Sequence, residues 1–129
     1  MNNYDYRVNL VDDYLKKLNL SNEINEYYYG RNILVTGGAG AIGSNLVTAL
    51  SRLVGDDGMI IVLDNLSAIK GDEPIDLPPL SNMMFVNGDI RNDIDLKRVF
   101  REKPTIVYHL AAFFANQNSV DYPETSADV

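Results

Sequence analysis

The sequence contains no cysteine. That absence removes a disulfide framework, a thiolate metal site and thiol nucleophilic chemistry together. Histidine occurs once, at His109, and positive charge is scarce: 11 lysines and arginines stand against 18 acids, a formal net charge of -7. A surface of that sign repels nucleic acid and anionic lipid at long range, so neither is an expected partner and any bound anion must be held by local geometry. Long apolar runs are missing as well. No segment reaches membrane-spanning length, and the opening MNNYDYRVNLVDD has neither a basic nor an apolar targeting region, so the default expectation is a cytoplasmic location. No metal site is expected.

What is present describes an ordinary globular chain. The 129 residues, 46% hydrophobic and 22% charged, suffice for one core and are too few for two comfortable domains. Residues 1–30 read as an N-terminal helical extension. Leu10, Val11, Tyr14, Leu15 and Leu18 recur at helical spacing, Asn9 is a candidate N-cap, Asp12 and Asp13 suit a first turn, and Lys16 and Lys17 suit a last one. One amphipathic helix packed on the main body is expected, with a dimer contact as the sharper alternative. The run Tyr27, Tyr28, Tyr29 is expected to pack at the core or its rim.

From residue 31 onward strands and helices alternate. The strands expected are 32–36, 59–64, 83–87 and 105–111. A helix is expected over 42–54, with Ile42, Leu46, Ala49, Leu50 and Leu53 as its apolar positions and Gly55 as its stop. A second helix is expected over 92–103, with Ile94, Leu96, Val99 and Phe100 inward and Pro104 beyond its end. Apolar strands without polar alternation are buried on both faces, which predicts a parallel sheet covered by helices on each side. The fold class is therefore α/β, a doubly wound parallel sheet of Rossmann type. The stretch 65–82, with Pro74, Pro78 and Pro79, is the one long irregular connection and is expected at the surface.

The glycines carry the first functional signal. TGGAGAIG, residues 36–43, follows an apolar strand and opens a helix, where backbone NH groups at the positive end of the helix dipole can hold a pyrophosphate without a lysine or arginine. Gly38, Gly40 and Gly43 satisfy GxGxxG, and Gly37, Gly40 and Gly43 satisfy GxxGxxG; no GK[ST] follows, which disfavours a P-loop. Asp64 ends the next strand 21 residues after Gly43, matching the offset of about 20 at which a carboxylate accepts the ribose hydroxyls of a dinucleotide. Asp89, ending the third strand in NGDI, is placed to meet an adenine edge together with the NH of Ile90, or to act as a turn aspartate. A methyltransferase using a glycine turn and an acid, and a purely structural glycine turn, are the competing readings of these residues. His109, inside the apolar HLAA, reads as a packing residue rather than a catalytic base.

Taken in order, ILVTGGAGAIGSNL, VLDNLS, VNGDIRN and IVYHLAAFFANQNSVDYPE resemble the N-terminal half of an extended short-chain dehydrogenase/reductase of the NAD-dependent nucleotide-sugar epimerase/dehydratase family. The resemblance runs from Arg31 to the end. It implies a truncated NAD-binding Rossmann domain over 31–129, with Gly37, Gly40, Ala41, Ile42 and Gly43 at the pyrophosphate, Asp64 and Asn65 at the adenosine ribose, Asp89 and Ile90 at the adenine, and Leu110, Ala111 and Ala112 beside the nicotinamide. It implies NAD as cofactor, a nucleotide sugar as substrate and a homodimer as the parent assembly. It also implies a tyrosine base with a lysine four residues on, yet none of the eight tyrosines here is followed by such a lysine. No catalytic residue is therefore assigned, and the chain is expected to be an inactive fragment, ending at Val129 before the catalytic segment and the sugar-binding domain. The parent reaction is read as UDP-sugar 4-epimerisation, with a 4,6-dehydratase or related reductase as the alternative and a non-catalytic NAD-binding fragment or sensor as the alternative of another class. Phe113 and Phe114 match neither enzyme's usual text, and Ser119 would lie near the substrate.

Overall fold

A computed structural model describes residues 3–67 and 77–111. Within them four strands form one parallel sheet in the order β3-β2-β1-β4, built from β1 (Asn32–Thr36), β2 (Met59–Asp64), β3 (Met83–Asn87) and β4 (Ile106–His109). The helices are α1 (Asn3–Leu18), α2 (Asn22–Tyr28), α3 (Ala41–Val54) and α4 (Asp93–Phe100). All three strand pairings are parallel and in register, with Val35 opposite Val62 and Tyr108, and Val62 opposite Phe85.

Because successive strand side chains point to opposite faces, β1 and β2 feed two cores. Ile33, Val35, Ile60 and Val62 pack on one face with Val47, Leu50 and Val54 of α3. Leu34, Ile61 and Leu63 pack on the other with Val86 and Val99, the latter from α4. Helices thus cover both faces, as the apolar strands predicted. The outer strands depart from that expectation: β3 is only half-buried over Met83–Phe85, and β4 alternates, with Val107 49% exposed.

The helices bear out the expected apolar stripes only in part: on α3, Leu46, Leu50 and Leu53 pack on the core as expected. The buried face of α3 is Val47, Leu50 and Val54 interleaved with Ser44, Thr48 and Ser51, whereas Ile42 is 80% exposed. The polar members are admissible because Thr48 Oγ1 donates to the Ser44 carbonyl at 2.8 Å and Ser51 Oγ to Asn82 Oδ1 at 2.5 Å. On α4, Leu96 and Val99 face the sheet while Ile94 is 76% and Phe100 50% exposed. Residues 94 and 96 stand about 200° apart around a helix, so both cannot point inward. Gly55 ends α3 with φ 67° as expected, and Asn92 caps α4, accepting from the NH groups of Ile94 and Asp95. In the connection after β2, Leu77 and Pro78 are buried, and Leu77 joins the α3-side core; the surface expectation fails at those two residues. Pro74 lies outside the described residues.

The first 30 residues form two helices rather than one. Helix α1 begins by Asn3, so Asn9 is mid-helix; Asp5 occupies the first turn, and Asp12, expected there too, instead pairs with Arg52 of α3 at 2.9 Å. Lys16 and Lys17 do stand in the last turn. Ser21 caps α2, accepting from Ile24 N at 3.3 Å. Helix α1 packs along α3, and Tyr28 docks α2 on the core, its hydroxyl 2.6 Å from that of Tyr108 on β4. Tyr27 and Tyr29 stay exposed: Arg31 lies over the Tyr27 ring and Tyr29 donates to Asp57.

Candidate dinucleotide site

The carboxyl ends of all four strands meet at one edge of the sheet. The chain runs outward from β1 to β2 and β3, then returns to place β4 on the other side of β1. In open α/β sheets ligands bind at the crevice that such a reversal creates. Gly37 sits at its centre. Its φ of 74° is left-handed, and a Cβ there would come within 2.8 Å of Ala111 N and 2.9 Å of Leu110 C, so the β1 exit and the β4 exit touch backbone to backbone.

The glycines after β1 differ in what requires them. A Cβ on Gly38 would lie 2.7 Å from Val62 Cγ1, and one on Gly43 would strike the Gly37 carbonyl oxygen and stand 2.7 Å from Gly38 Cα. Gly38 is demanded by packing of the turn on the sheet, and Gly43 by packing of the helix on the turn. Gly40 is different: its φ is -75°, and an added Cβ would meet only the Gly37 carbonyl oxygen, at an ordinary 3.6 Å. Gly40 is also the N-cap of α3 and makes no side-chain cap, so the first-turn NH groups are left for another acceptor. Ala41 and Ile42, which open the helix, are exposed.

Asp64 ends β2 with both carboxylate oxygens in use. Oδ2 accepts from Ala39 N of the glycine turn at 3.0 Å, and Oδ1 accepts from Leu66 N at 2.7 Å. An ionised carboxylate offers about four acceptor positions, so two remain for a ligand. Asn65 beside it donates to Asp89 Oδ2 at 3.2 Å. The residues proposed from sequence are therefore linked in pairs along one edge: Gly37 with Leu110 and Ala111, the turn with Asp64, Asn65 with Asp89. Ile90 follows Asp89 and is half-buried. Ala112, Phe113, Phe114 and Ser119 lie outside the described residues.

Arg91 is a member that sequence reasoning missed. Its Nη2 reaches Asp89 Oδ2 at 2.8 Å, and its Nε and backbone NH reach Oδ1 at 3.0 and 2.8 Å. These bonds, the guanidinium's foremost, hold the Asp89 carboxyl well below the usual carboxylate range. Two residues apart in NGDIRN, the pair had only proximity as a signal. Asp95 fixes the same loop by accepting from Asp89 N at 2.9 Å. His109 is not packed inside the strand: it is exposed, with Nδ1 2.6 Å from Thr36 Oγ1, and Thr36 Oγ1 also accepts from Ala111 N at 3.3 Å. Thr36, just before the glycines, thereby ties the two strand exits together.

The sequence and the fold both have counterparts among known proteins. Residues 33–129 match the NAD dependent epimerase/dehydratase family, and the chain belongs to that family. Over 94 residues it is 43% identical to CDP-paratose 2-epimerase of Salmonella typhi, covering 70% of this chain and 27% of that protein. UDP-glucose 4-epimerase of Mycolicibacterium smegmatis is 39% identical over 97 residues, 74% of this chain and 30% of its own. A dTDP-D-glucose 4,6-dehydratase of Mus musculus is 39% identical over 88 residues, 65% of this chain and 24% of its own. Among solved structures, an epimerase of Methanothermobacter thermautotrophicus superposes with a TM-score of 0.70 at 48% identity, covering 81% of this chain and 29% of that one. The Bordetella bronchiseptica enzyme WbmF in complex with NAD+ gives 0.66 at 31% identity, over 79% and 29%. The chain thus spans less than a third of the length of each of these proteins. Among the described residues no helix is long and apolar enough to cross a membrane, and no group of three potential metal ligands occurs.

Proposed function

We propose that residues 31–129 are the NAD-binding portion of a nucleotide-sugar-modifying enzyme, most simply a UDP-sugar 4-epimerase, with residues 1–30 as an extension packed on it. The observation that carries the reading is Gly40. The fold itself leaves room for a side chain at this N-cap, where serine, asparagine or aspartate would cap at least as well as glycine, so a closely approaching ligand is the physical reason that favours glycine there. The NH groups of Ala41, Ile42 and Gly43, at the positive end of α3, hold the diphosphate. Asp64 and Asn65 take the adenosine ribose, Asp89 and Ile90 the adenine edge, and Leu110 and Ala111 line the nicotinamide side. Arg91 and Asn65 between them fill the four acceptor positions of Asp89, so its carboxylate accepts from the adenine amino group only as Asn65 leaves it for the ribose.

NAD, when bound, supplies the hydride acceptor and donor for oxidation and re-reduction at a sugar carbon. The residues of this chain bind and orient it. The acid at position 64 favours NAD over NADP, because a 2′-phosphate would meet a carboxylate, and Asn65, Leu66 and Ser67 bring no cation to receive it. A 4,6-dehydratase is the second reading, favoured by the identity to the murine dehydratase. Calorimetric titration with NAD and NADP tests the cofactor assignment, and tighter NADP binding would sink it. Offering UDP-glucose, a CDP-hexose and dTDP-glucose to the longer enzyme tests the reaction: an epimer as product supports the first reading, a 4-keto-6-deoxy sugar the second.

A further inference from the structure

The pyrophosphate turn has no cation of its own, but the N-terminal extension brings one to it. Arg7 of α1 donates through Nη2 to Ser44 Oγ at 3.0 Å and to Asn45 Oδ1 at 3.1 Å. Those two side chains have a common second partner. Ser44 Oγ donates to the Ala41 carbonyl at 3.3 Å, and Asn45 Nδ2 donates to the same carbonyl at 3.2 Å. Arg7 therefore sits at the head of a relay whose two arms both close on Ala41, the first residue of α3 and the residue after the unhindered Gly40. Ser44 is fully buried and Arg7 half-buried. Five residues along α1, Asp12 pairs with Arg52, which fixes α1 parallel to α3 and holds Arg7 at the N-terminal end. No acid stands in the first turn of α3.

We propose that Arg7 is a positioning residue of the dinucleotide site: it locks the first turn of α3 through Ser44 and Asn45 and adds positive charge beside the NH groups that hold the diphosphate. The inference rests on the reading of that turn as a dinucleotide site. It assigns a cofactor-binding role to a segment outside the stretch 33–129 that the family shares. A guanidinium bonded to Ser44 Oγ orients that hydroxyl toward the Ala41 carbonyl, so the outward NH groups keep one direction before the ligand arrives. The effect is specific to anions: a ligand lacking the diphosphate gains nothing from it.

The test uses the purified chain, with NAD, ADP and adenosine titrated against wild type, Arg7→Met and Arg7→Lys, adenosine by competition against NAD. Met keeps the apolar stem and loses charge and donors. Arg7→Met is expected to weaken NAD and ADP by about three- to fivefold, the scale of a charge near a helix terminus, and to leave adenosine unchanged. Arg7→Lys should recover part of the loss, and the difference should shrink as salt is raised. Equal ADP affinity in wild type and Arg7→Met overturns the proposal. An equal loss for adenosine also overturns it, because Arg7 would then only brace the fold. Absence of NAD binding by the folded wild type fells the dinucleotide reading and this inference with it, whereas NAD binding indifferent to Arg7 fells this inference alone.

Discussion

Replacing Gly40 and Gly43 by alanine separates a glycine kept for a ligand from one kept for the fold. At Gly40 the backbone is extended, with φ -75° and ψ 178°, and the added methyl would lie 3.6 Å from the Gly37 carbonyl oxygen. Alanine gains up to about 1 kcal/mol by restricting the unfolded chain and loses a comparable amount as a poorer N-cap than glycine. Stability should therefore change by no more than about 0.5 kcal/mol, the range of an innocuous substitution. At Gly43 the methyl would strike the Gly37 carbonyl and crowd Gly38 Cα; turn and helix must part, at a cost of about 1–3 kcal/mol. Affinity should follow the other order. A methyl at position 40 holds the diphosphate away from the α3 NH groups, and each charge-assisted hydrogen bond lost is worth about 1.5–3 kcal/mol. One such bond is already about tenfold or more in Kd. Gly40→Ala is thus expected to melt like wild type yet bind NAD at least about tenfold more weakly, and Gly40→Val to lose binding with helix content retained. Urea unfolding followed by circular dichroism gives the stability, and calorimetry the affinity. Full NAD affinity in Gly40→Ala, or a loss of stability there equal to that of Gly43→Ala, would show that the turn's glycines serve packing alone.

Asp64→Asn should weaken NAD by about tenfold, one charge-assisted bond, and raise NADP affinity relative to NAD; an unchanged preference in calorimetry would remove Asp64 from the ribose. Arg91→Ala should return the Asp89 carboxyl toward the usual range. Its folded-state value is depressed, so its stabilising contribution exists above the unfolded value and is lost as pH falls through the folded one; the variant should lose that contribution at higher pH, as carboxyl NMR titration would reveal. The Tyr108 hydroxyl is pushed up to about 12 by burial and by its bond to Tyr28. Its contribution is full below the unfolded value near 10 and lost as pH rises through about 12, so Tyr28→Phe should bring phenolate absorbance and alkaline unfolding to lower pH. Residues 1–129 should turn over none of the three nucleotide sugars, since no tyrosine here has a lysine four residues on and positioned proton transfer is worth about 10²–10⁴-fold; measurable turnover would point to another base, His109 first.

The sheet was legible because its information is local. Ile33–Val35 and Ile60–Leu63 are apolar without interruption, which only a strand buried on both faces accommodates, and the expected bounds of β1, β2 and β3 coincide with those found. Helix faces were less legible, since spacing alone does not say which side chains fit the small space against the sheet. On α3 that space takes Ser44, Thr48 and Ser51, whose polar atoms the helix and Asn82 satisfy. At the site, the spacing from Gly43 to Asp64 encodes a turn and a strand end, so both could be found from sequence. Which glycine the fold leaves unhindered could not, because Gly38, Gly40 and Gly43 are indistinguishable until the atoms around them are known. Arg7 was beyond reach for a further reason. It lies 37 residues from Ser44, ahead of the Asn9 cap that the spacing predicts, and no periodicity links a side chain on one element to a hydroxyl on another. The variants most informative about this site are therefore the ones no motif would nominate: Arg7, 37 residues from the hydroxyl it reaches, and Arg91, two residues from the carboxylate it reaches.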